Sequence, residues 1–126
     1  MRDKPKYICD ALEKVDTEYC LVTDGNDVVF CGDASNILEE YKFYDRDIIF
    51  ITNTQGFPRV KVETIDGYSD DEDRRTLWGD CCFINAGVCI GKTAALKEFY
   101  KELNELIKST NIPFEQWHVR KMWDKH

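Results

Sequence analysis

The sequence predicts an α/β fold in which helices flank a mixed or parallel sheet. Short apolar runs typical of strands alternate along the chain with segments of helical periodicity, which indicates layers of helix and sheet. The apolar runs are continuous, as expected of strands that are covered on both faces. With 126 residues and no internal repeat, residues 1–126 are predicted to form one domain.

The first half of the chain supplies helix and strand segments in alternation. The predicted segments are a helix over 5–15, strands over 19–23 and 28–30, a helix that begins after Asp33, and a strand over 47–52. Ile8, Leu12 and Val15 recur at the spacing of one helical face, which predicts that the first helix packs on a core. Asp33 belongs to a residue type that caps helices by accepting a backbone hydrogen bond, so it marks the start of the second helix.

The second half contains a long irregular segment followed by a strand and two helices. Residues 53–80 lack periodicity and include the acidic run 70–73, which predicts a functional lid or a solvated loop. A strand is predicted over 82–90, after which Thr93 is predicted to cap a long amphipathic helix. The apolar face of that helix comprises Leu96, Phe99, Tyr100, Leu103 and Ile107. Pro113 suits the first turn of a last helix that runs to the end of the sequence.

Charge and cysteine content argue against several classes of function. The chain has 17 Lys and Arg against 24 Asp and Glu, a net charge of −7, which disfavours nucleic acids and anionic membrane surfaces as partners. No apolar run approaches the roughly 18 residues of a membrane helix, and the first residues lack the apolar stretch of a signal peptide. The six cysteines follow neither a zinc-ligand spacing nor a disulfide framework, so reduced thiols in a cytoplasmic protein are expected.

Two carboxylates follow the first predicted strand. Asp24 comes directly after the run 19–23, and Asp27 lies three residues further on, beyond a turn at Gly25 and Asn26. Ligands of α/β sheets gather beyond the carboxyl ends of strands, and Mg²⁺ or Mn²⁺ commonly binds one or two carboxylates together with substrate phosphates. The pair therefore predicts a metal that links protein acids to a diphosphate. The alternative is an ordinary turn whose Asp and Asn side chains bond their own backbone.

Four stretches of the chain are similar, in order, to motifs of one family. They are EYCLVTDGNDVVF, an apolar strand that ends in D-x-x-D; DIIFITNTQGFP, the next strand; FINAGVCIG, similar to L-N-S-G-x-x-I-G; and FEQWHVRKMW, similar to a helix start of the type D-D-Q. From about Lys4 to Lys125, the chain resembles the glycosyltransferase-like domain of procollagen lysyl hydroxylases and of their bacterial and viral relatives.

The resemblance implies a GT-A-like, Rossmann-like fold and a metal-dependent glycosyltransferase. The donor substrate would be a UDP-sugar, and its hexose would pass to a hydroxyl group of a protein or glycan acceptor. By this resemblance, Asp24 and Asp27 would hold Mn²⁺ or Mg²⁺ against the diphosphate, and Asp24 would also contact the donor. The metal would offset the charge that builds up on the leaving diphosphate.

The same resemblance assigns the other side of the predicted site. Asn85, Ala86 and Gly87 would face the donor sugar, with the glycine allowing a close approach of the backbone. Glu115 and Gln116 match the acidic position near the transferred sugar, where an acid can stabilise a cationic sugar or orient the acceptor hydroxyl. They are the predicted catalytic residues.

The sequence also departs from the pattern of this family. Asn53 stands where relatives usually carry glutamate, and Gly56 where they often carry cysteine. The strand that binds the uridine base in the family would precede Lys4, and a histidine that completes the metal site would follow His126. The chain is therefore expected to be a partial domain that lacks the first nucleotide-binding strand.

Each assignment has a structural alternative. Asn85 could cap a bulge in its strand, and Glu115 could sit in a first helical turn because the helix dipole favours an acid there. His118 is predicted to be a helix-face residue rather than a metal ligand. At the level of the whole chain, the alternative function is a non-catalytic relative that keeps the glycosyltransferase fold as a binding or assembly module.

Overall fold

The computed structural model describes residues 3–53, 83–110, 112 and 114–123, which form three strands and four helices. In chain order the elements are α1 (Lys4–Leu12), β1 (Tyr19–Thr23), α2 (Ala34–Phe43), β2 (Ile48–Asn53), β3 (Phe83–Lys92), α3 (Thr93–Ser109) and α4 (Glu115–Trp123). The α/β class that the sequence predicts is confirmed. The finer GT-A-like assignment stays a prediction.

The described strands form an antiparallel sheet in the order β1-β3-β2. β3 lies in the middle and runs opposite to both of its neighbours, so Thr23 of β1 stands beside Val88, and Phe50 of β2 beside Cys89. The prediction of a mixed or parallel sheet is wrong for these strands. Every residue of β1 is only half-buried. Its apolar run therefore reflects strand propensity rather than complete cover on both faces.

A bulge interrupts β3 in the middle of its pairing with β2. The neighbours Phe50 and Ile51 stand opposite Cys89 and Asn85, so residues 86–88 have no counterpart on β2. Bulges bend a strand locally and re-aim its side chains, and they are over-represented next to functional sites. The bulge in β3 falls on the Asn85-Ala86-Gly87 segment, which the sequence predicts to be part of a binding site.

The core lies between the sheet and α3, with α1 and α4 packed around it. The predicted face of α3 is confirmed, because Leu96, Tyr100, Leu103 and Ile107 are almost completely buried and Phe99 packs against this cluster. α1 contacts α3 and contributes Leu12, while α4 contacts both β3 and α3. Burial of each large apolar side chain contributes about 1.5–3 kcal/mol to the free energy of unfolding. The packed layer between β3 and α3, called here the seam, therefore holds the helices in place around the bulge.

Most predicted element positions agree with the structure, although α1 ends at Leu12 rather than at the predicted Val15, and two further assignments differ. Asp33 caps α2 as predicted, accepting a hydrogen bond of 2.9 Å from the Ser35 backbone N–H. The strand predicted over 28–30 is absent, and Val29 is 81 % exposed, because this short run has no pairing partner among the described strands. Thr93 does not cap α3: Lys92 occupies the N-cap, and the Thr93 backbone N–H is bound by the Glu18 carbonyl.

Other predictions fall partly or wholly outside the described residues. They concern the segment 54–82 with its acidic run, Pro113 at the start of the last helix, and the end of the chain after Trp123. Within the described ranges, no helix has the length and apolar character needed to cross a membrane. The four described cysteines, Cys9, Cys20, Cys31 and Cys89, are free thiols.

Candidate functional site

The end of β1 lies directly beside the bulge of β3. Pairing between the two strands reaches Thr23, and the Asp24 backbone N–H then donates a hydrogen bond of 2.7 Å to the Gly87 carbonyl. This bond continues the ladder by one residue and fixes the position of the Asp24 side chain over the bulge. The antiparallel register therefore brings Asp24 next to a segment that lies more than sixty residues later in the sequence.

The predicted site residues line one pocket of about 900 Å³. From the turn after β1, from β3 and from α4, these residues are Asp24, Asp27, Asn85, Ala86, Gly87, Glu115 and Gln116. Residues of α1 and β1, including Ile8 and Leu21, form an apolar part of the same pocket. The pocket thus has a polar end at the bulge and an apolar extension between helix and strand, a combination typical of small-molecule sites.

Gly87 leaves room for two side-chain oxygens at the polar end of the pocket. A Cβ atom at this position would lie 2.8 Å from the Asn85 Oδ1 and 2.8 Å from the Asp24 Oδ2, closer than Cβ atoms approach other atoms. The two oxygens therefore face a common point above the glycine. The sequence-based reason for this glycine, close approach to the backbone, agrees with the geometry.

Asn85 makes its described hydrogen bond within the bulge itself. Its Oδ1 accepts a bond of 2.6 Å from the Gly87 backbone N–H. That contact is the one expected of a residue that caps a bulge. The same oxygen still has a second lone pair, and its amide group lines the pocket. A structural role is thus visible for Asn85, and its predicted contact with a donor stays a prediction.

Gln116 attaches α4 to the bulged strand. Its Oε1 accepts a hydrogen bond of 3.1 Å from the Ala86 N–H, and its Nε2 donates one of 2.9 Å to the Ile84 carbonyl. A side-chain amide can make both bonds at once because it carries a donor and an acceptor, as a neighbouring strand would. In this structure, Gln116 therefore positions the neighbouring Glu115 and the edge of the pocket, and both of its polar atoms are engaged.

Lys4 is a residue of the site that the sequence reasoning missed. Its Nζ lies 2.5 Å from the Asp24 Oδ1 and 3.1 Å from the Glu115 Oε2, and it donates a bond of 3.2 Å to the Ala86 carbonyl. A signal was present in the sequence, because Lys4 precedes Ile8 and Leu12 at four-residue spacing. A lysine in line with the buried face of an amphipathic helix indicates a buried acidic partner.

Burial and charge have opposite effects on the pKa values of Lys4 and Glu115, the two partners of this ion pair. Burial lowers the pKa of Lys4, but the hydrogen bonds and charges of Asp24 and Glu115 outweigh it and hold that pKa above its ordinary value. Burial raises the pKa of Glu115, and the nearby Lys4 ammonium reduces that rise. Glu115 is only 7 % exposed, and among the described residues its Oε1 has no hydrogen-bond partner. An unsatisfied buried carboxylate oxygen is expensive unless something binds it.

The donor atoms at the polar end suit a hard divalent cation. The Asp24 Oδ2 and the Asn85 Oδ1 face one point, and Asp27 lines the same pocket with an exposed side chain. Carboxylate and amide oxygens are the ligands that Mg²⁺ and Mn²⁺ prefer. In the described part of the chain, no three His, Cys, Asp or Glu side chains are grouped so that they could hold a metal ion by themselves.

His118 lies away from this pocket in a structural position. It is completely buried on α4, and its Nε2 is 3.0 Å from the Ile112 carbonyl and 3.2 Å from the Thr110 hydroxyl. The ring thereby connects α4 to the segment that follows α3. The prediction that His118 is a helix-face residue agrees with this arrangement.

Comparison with known proteins adds no relative. No family model matches the chain, and no curated protein or solved structure is significantly similar to it. The resemblance to the procollagen lysyl hydroxylase domain therefore stays a prediction from motifs, and the function has to be argued from the pocket.

Proposed function

We propose that this chain is a metal-dependent glycosyltransferase domain that transfers a hexose from a UDP-sugar to a hydroxyl group of a protein or glycan. One observation carries the proposal. The residues that the motif resemblance assigns to metal, donor and catalysis come from distant parts of the sequence, and they line a single pocket at the bulge of β3. The pocket is large enough for a drug-sized ligand.

The proposed metal site explains how an acidic protein would hold an anionic substrate. Net charge is −7, so a diphosphate would be repelled unless a cation offsets the charge. Asp24 and Asp27 would hold Mn²⁺ or Mg²⁺, with Asn85 as a neutral oxygen ligand nearby. When bound, the metal supplies a counter-charge for the leaving diphosphate.

The other residues bind and orient the two substrates in this proposal. The bulge at Asn85, Ala86 and Gly87 lets a sugar approach the strand backbone without meeting a side chain at position 87. The Glu115 carboxylate would orient the acceptor hydroxyl, and Gln116 keeps the helix start that carries Glu115 against β3. Transfer breaks the bond between the anomeric carbon and the diphosphate oxygen and forms one to the acceptor oxygen, whose proton passes to the departing diphosphate.

A non-catalytic binding or assembly module is the second candidate. The observation in its favour is the Lys4 ammonium, which partners Asp24 and Glu115 and so supplies a positive charge from the protein itself. A module of this kind would keep the packing of the pocket and have no need for a divalent cation. Both candidates would operate in the cytoplasm, since the cysteine content suits a reducing compartment.

Calorimetric titration of the protein with UDP, in the presence and absence of Mn²⁺, tests the proposal. We expect UDP to bind only with Mn²⁺, and the variants Asp24→Asn and Asp27→Asn to lose at least about tenfold in affinity, or about 1.4 kcal/mol. Asp16→Asn is the matched control, because Asp16 is exposed and does not line the pocket. UDP binding that is independent of Mn²⁺ and of both aspartates would leave the binding module as the better explanation.

A further inference from the structure

We propose that the oxygens around the Lys4 ammonium form a cation site that Lys4 and a divalent cation occupy in alternation. The proposal concerns the same pocket and rests on the proposed metal dependence. It assigns Lys4 the role of a resident cation, and it adds Glu115 to the groups that a divalent cation would contact. Binding of the cation is then coupled to release of the first turn of α1.

The surroundings of the ammonium resemble the ligand shell of an ion. The Asp24 Oδ1, the Glu115 Oε2 and the Ala86 carbonyl lie 2.5, 3.1 and 3.2 Å from the Lys4 Nζ. An ammonium has three hydrogens and no acceptor, so these three oxygens use its full donor capacity. They come from β3, from the turn after β1 and from the start of α4. The cation therefore joins three separate parts of the fold.

Glu115 supplies an independent indication that this point is a ligand site. The residue is more than nine-tenths buried, it lines the pocket, and among the described residues its Oε1 has no hydrogen-bond partner. Lys4 satisfies only the Oε2 of this carboxylate. A divalent cation could be bound by a carboxylate through one or both oxygens, which would satisfy an atom that Lys4 leaves unpaired.

Lys4 and a divalent cation exclude each other by distance and charge. Mg²⁺ binds oxygens at about 2.0–2.1 Å, so a cation held by Asp24 and Glu115 would lie within a few ångströms of the present Nζ position. At such a separation a divalent ion and an ammonium repel each other strongly, because little solvent lies between them to screen the charges. The ammonium must therefore move away when the cation binds.

The position of Lys4 on α1 gives its release a structural consequence. Lys4 is the first residue of the helix, and the Tyr7 N–H is bonded to the Asp3 carbonyl in that turn. The ion pairs of Lys4 connect this turn to the end of β1 and to α4, and the buried side chain of Pro5 anchors the same turn by packing. Removing the ion pairs leaves the first turn held by the packing of Pro5 alone, while Leu12 stays in the core. Local opening should then increase at the start of the helix and not at its end.

Calorimetric titration with Mn²⁺ alone tests the mutual exclusion. We expect Lys4→Met to bind Mn²⁺ at least about tenfold more tightly than the natural protein, because the competing ammonium and its repulsion are gone. Lys6→Met is the matched control: it removes the same charge from the same helix, but Lys6 is exposed and pairs with Asp10. Its Mn²⁺ affinity should equal that of the natural protein. Glu115→Gln should bind Mn²⁺ more weakly.

A second measurement on the natural protein applies even if Lys4→Met fails to fold. Hydrogen exchange of the Tyr7 amide should accelerate at saturating Mn²⁺, whereas exchange at Leu12 should not. If the natural protein binds Mn²⁺ and Lys4→Met binds it no more tightly than Lys6→Met, or if exchange at Tyr7 does not change, the alternation is overturned while the proposed function stands. If none of these proteins binds Mn²⁺, the proposed metal dependence fails, and the alternation fails with it.

Discussion

Asp24 and Gly87 are bound to each other at two levels: their backbones share a hydrogen bond of 2.7 Å, and a carboxylate oxygen of Asp24 lies over the glycine where a side chain would begin. The turn after β1 and the bulge of β3 are therefore one structural unit. The geometry of the carboxylate depends on a residue that carries no side chain. This dependence predicts that the pocket is sensitive to substitution at Gly87.

Gly87→Ala is expected to disrupt the pocket and to destabilise the fold. The new methyl group would meet the Asp24 and Asn85 oxygens at 2.8 Å, so one or both must move. Overpacking of this kind costs about 1–3 kcal/mol, measurable as a lower urea midpoint. Gly32→Ala is the control, since nothing lies within 4 Å of a Cβ placed there. Equal midpoints for the two variants would contradict the close approach described for Gly87.

Gln116→Glu is expected to weaken the attachment of α4 to β3. The change keeps an acceptor for the Ala86 N–H but replaces the donor to the Ile84 carbonyl by a carboxylate oxygen. Two acceptors then face each other in a half-buried place, which should lower the free energy of unfolding by about 1–3 kcal/mol at neutral pH. Urea denaturation measures the loss. Glu102→Gln on the exposed side of α3 is a charge-changing control that should alter stability little. A Gln116→Glu protein as stable as this control would show that the amide bridge contributes nothing.

The local parts of this fold could be predicted from the sequence because their causes are local. The apolar face of α3 repeats every three or four residues, and the Asp33 cap depends on a neighbouring backbone N–H. Such patterns do not depend on how the rest of the chain is arranged. The predicted site residues also came together, because motif order and the end of β1 indicated which segments should meet.

The remaining features depend on contacts between distant segments, and no local pattern records them. Strand direction and the bulge at 86–88 follow from which strands pair, a choice made by the whole sheet. The run 28–30 has the composition of a strand but finds no partner among the described strands, and composition cannot show that. The spacing of Lys4 to Ile8 and Leu12 indicates an acidic partner, but it cannot identify Asp24 and Glu115, since the lysine and its two acids lie on three separate elements.

The stability of the protein should depend on pH through Glu115. Burial raises the folded-state pKa of this carboxyl above its unfolded value, although Lys4 reduces the rise. The folded state therefore holds its proton to higher pH than the unfolded state does. Protonated Glu115 therefore contributes to the free energy of unfolding fully at a pH below the pKa of the unfolded state. This contribution is lost as the pH rises through the pKa of the folded state. Urea denaturation of the natural protein and of Glu115→Gln measures this effect between about pH 4 and 7, where carboxyl groups titrate. As the pH rises, the natural protein should lose stability relative to the variant. If the natural protein instead gained stability relative to the variant as the pH rises, the ion pair with Lys4 would affect the pKa of Glu115 more than burial does.

The Cys89 thiol should be inert while the fold is intact. It is 1 % exposed, lies 3.4 Å from the Tyr100 hydroxyl, and burial raises its pKa to about 11. Thiols react as thiolates, so at pH 8 iodoacetamide should modify the exposed Cys31 quickly and Cys89 only after unfolding in urea. Peptide mass spectrometry of the alkylated protein identifies each site.

The raised pKa of Cys89 also predicts how stability depends on pH. Because the folded state keeps the thiol proton to higher pH than the unfolded state, the stabilising contribution of the thiol is complete below its ordinary pKa and is lost as the pH rises towards 11. The urea midpoint should therefore fall in that alkaline window, and the fall should be smaller in Cys89→Ala. Rapid alkylation of Cys89 in the native state would show that the seam between β3 and α3 opens far more readily than its burial implies.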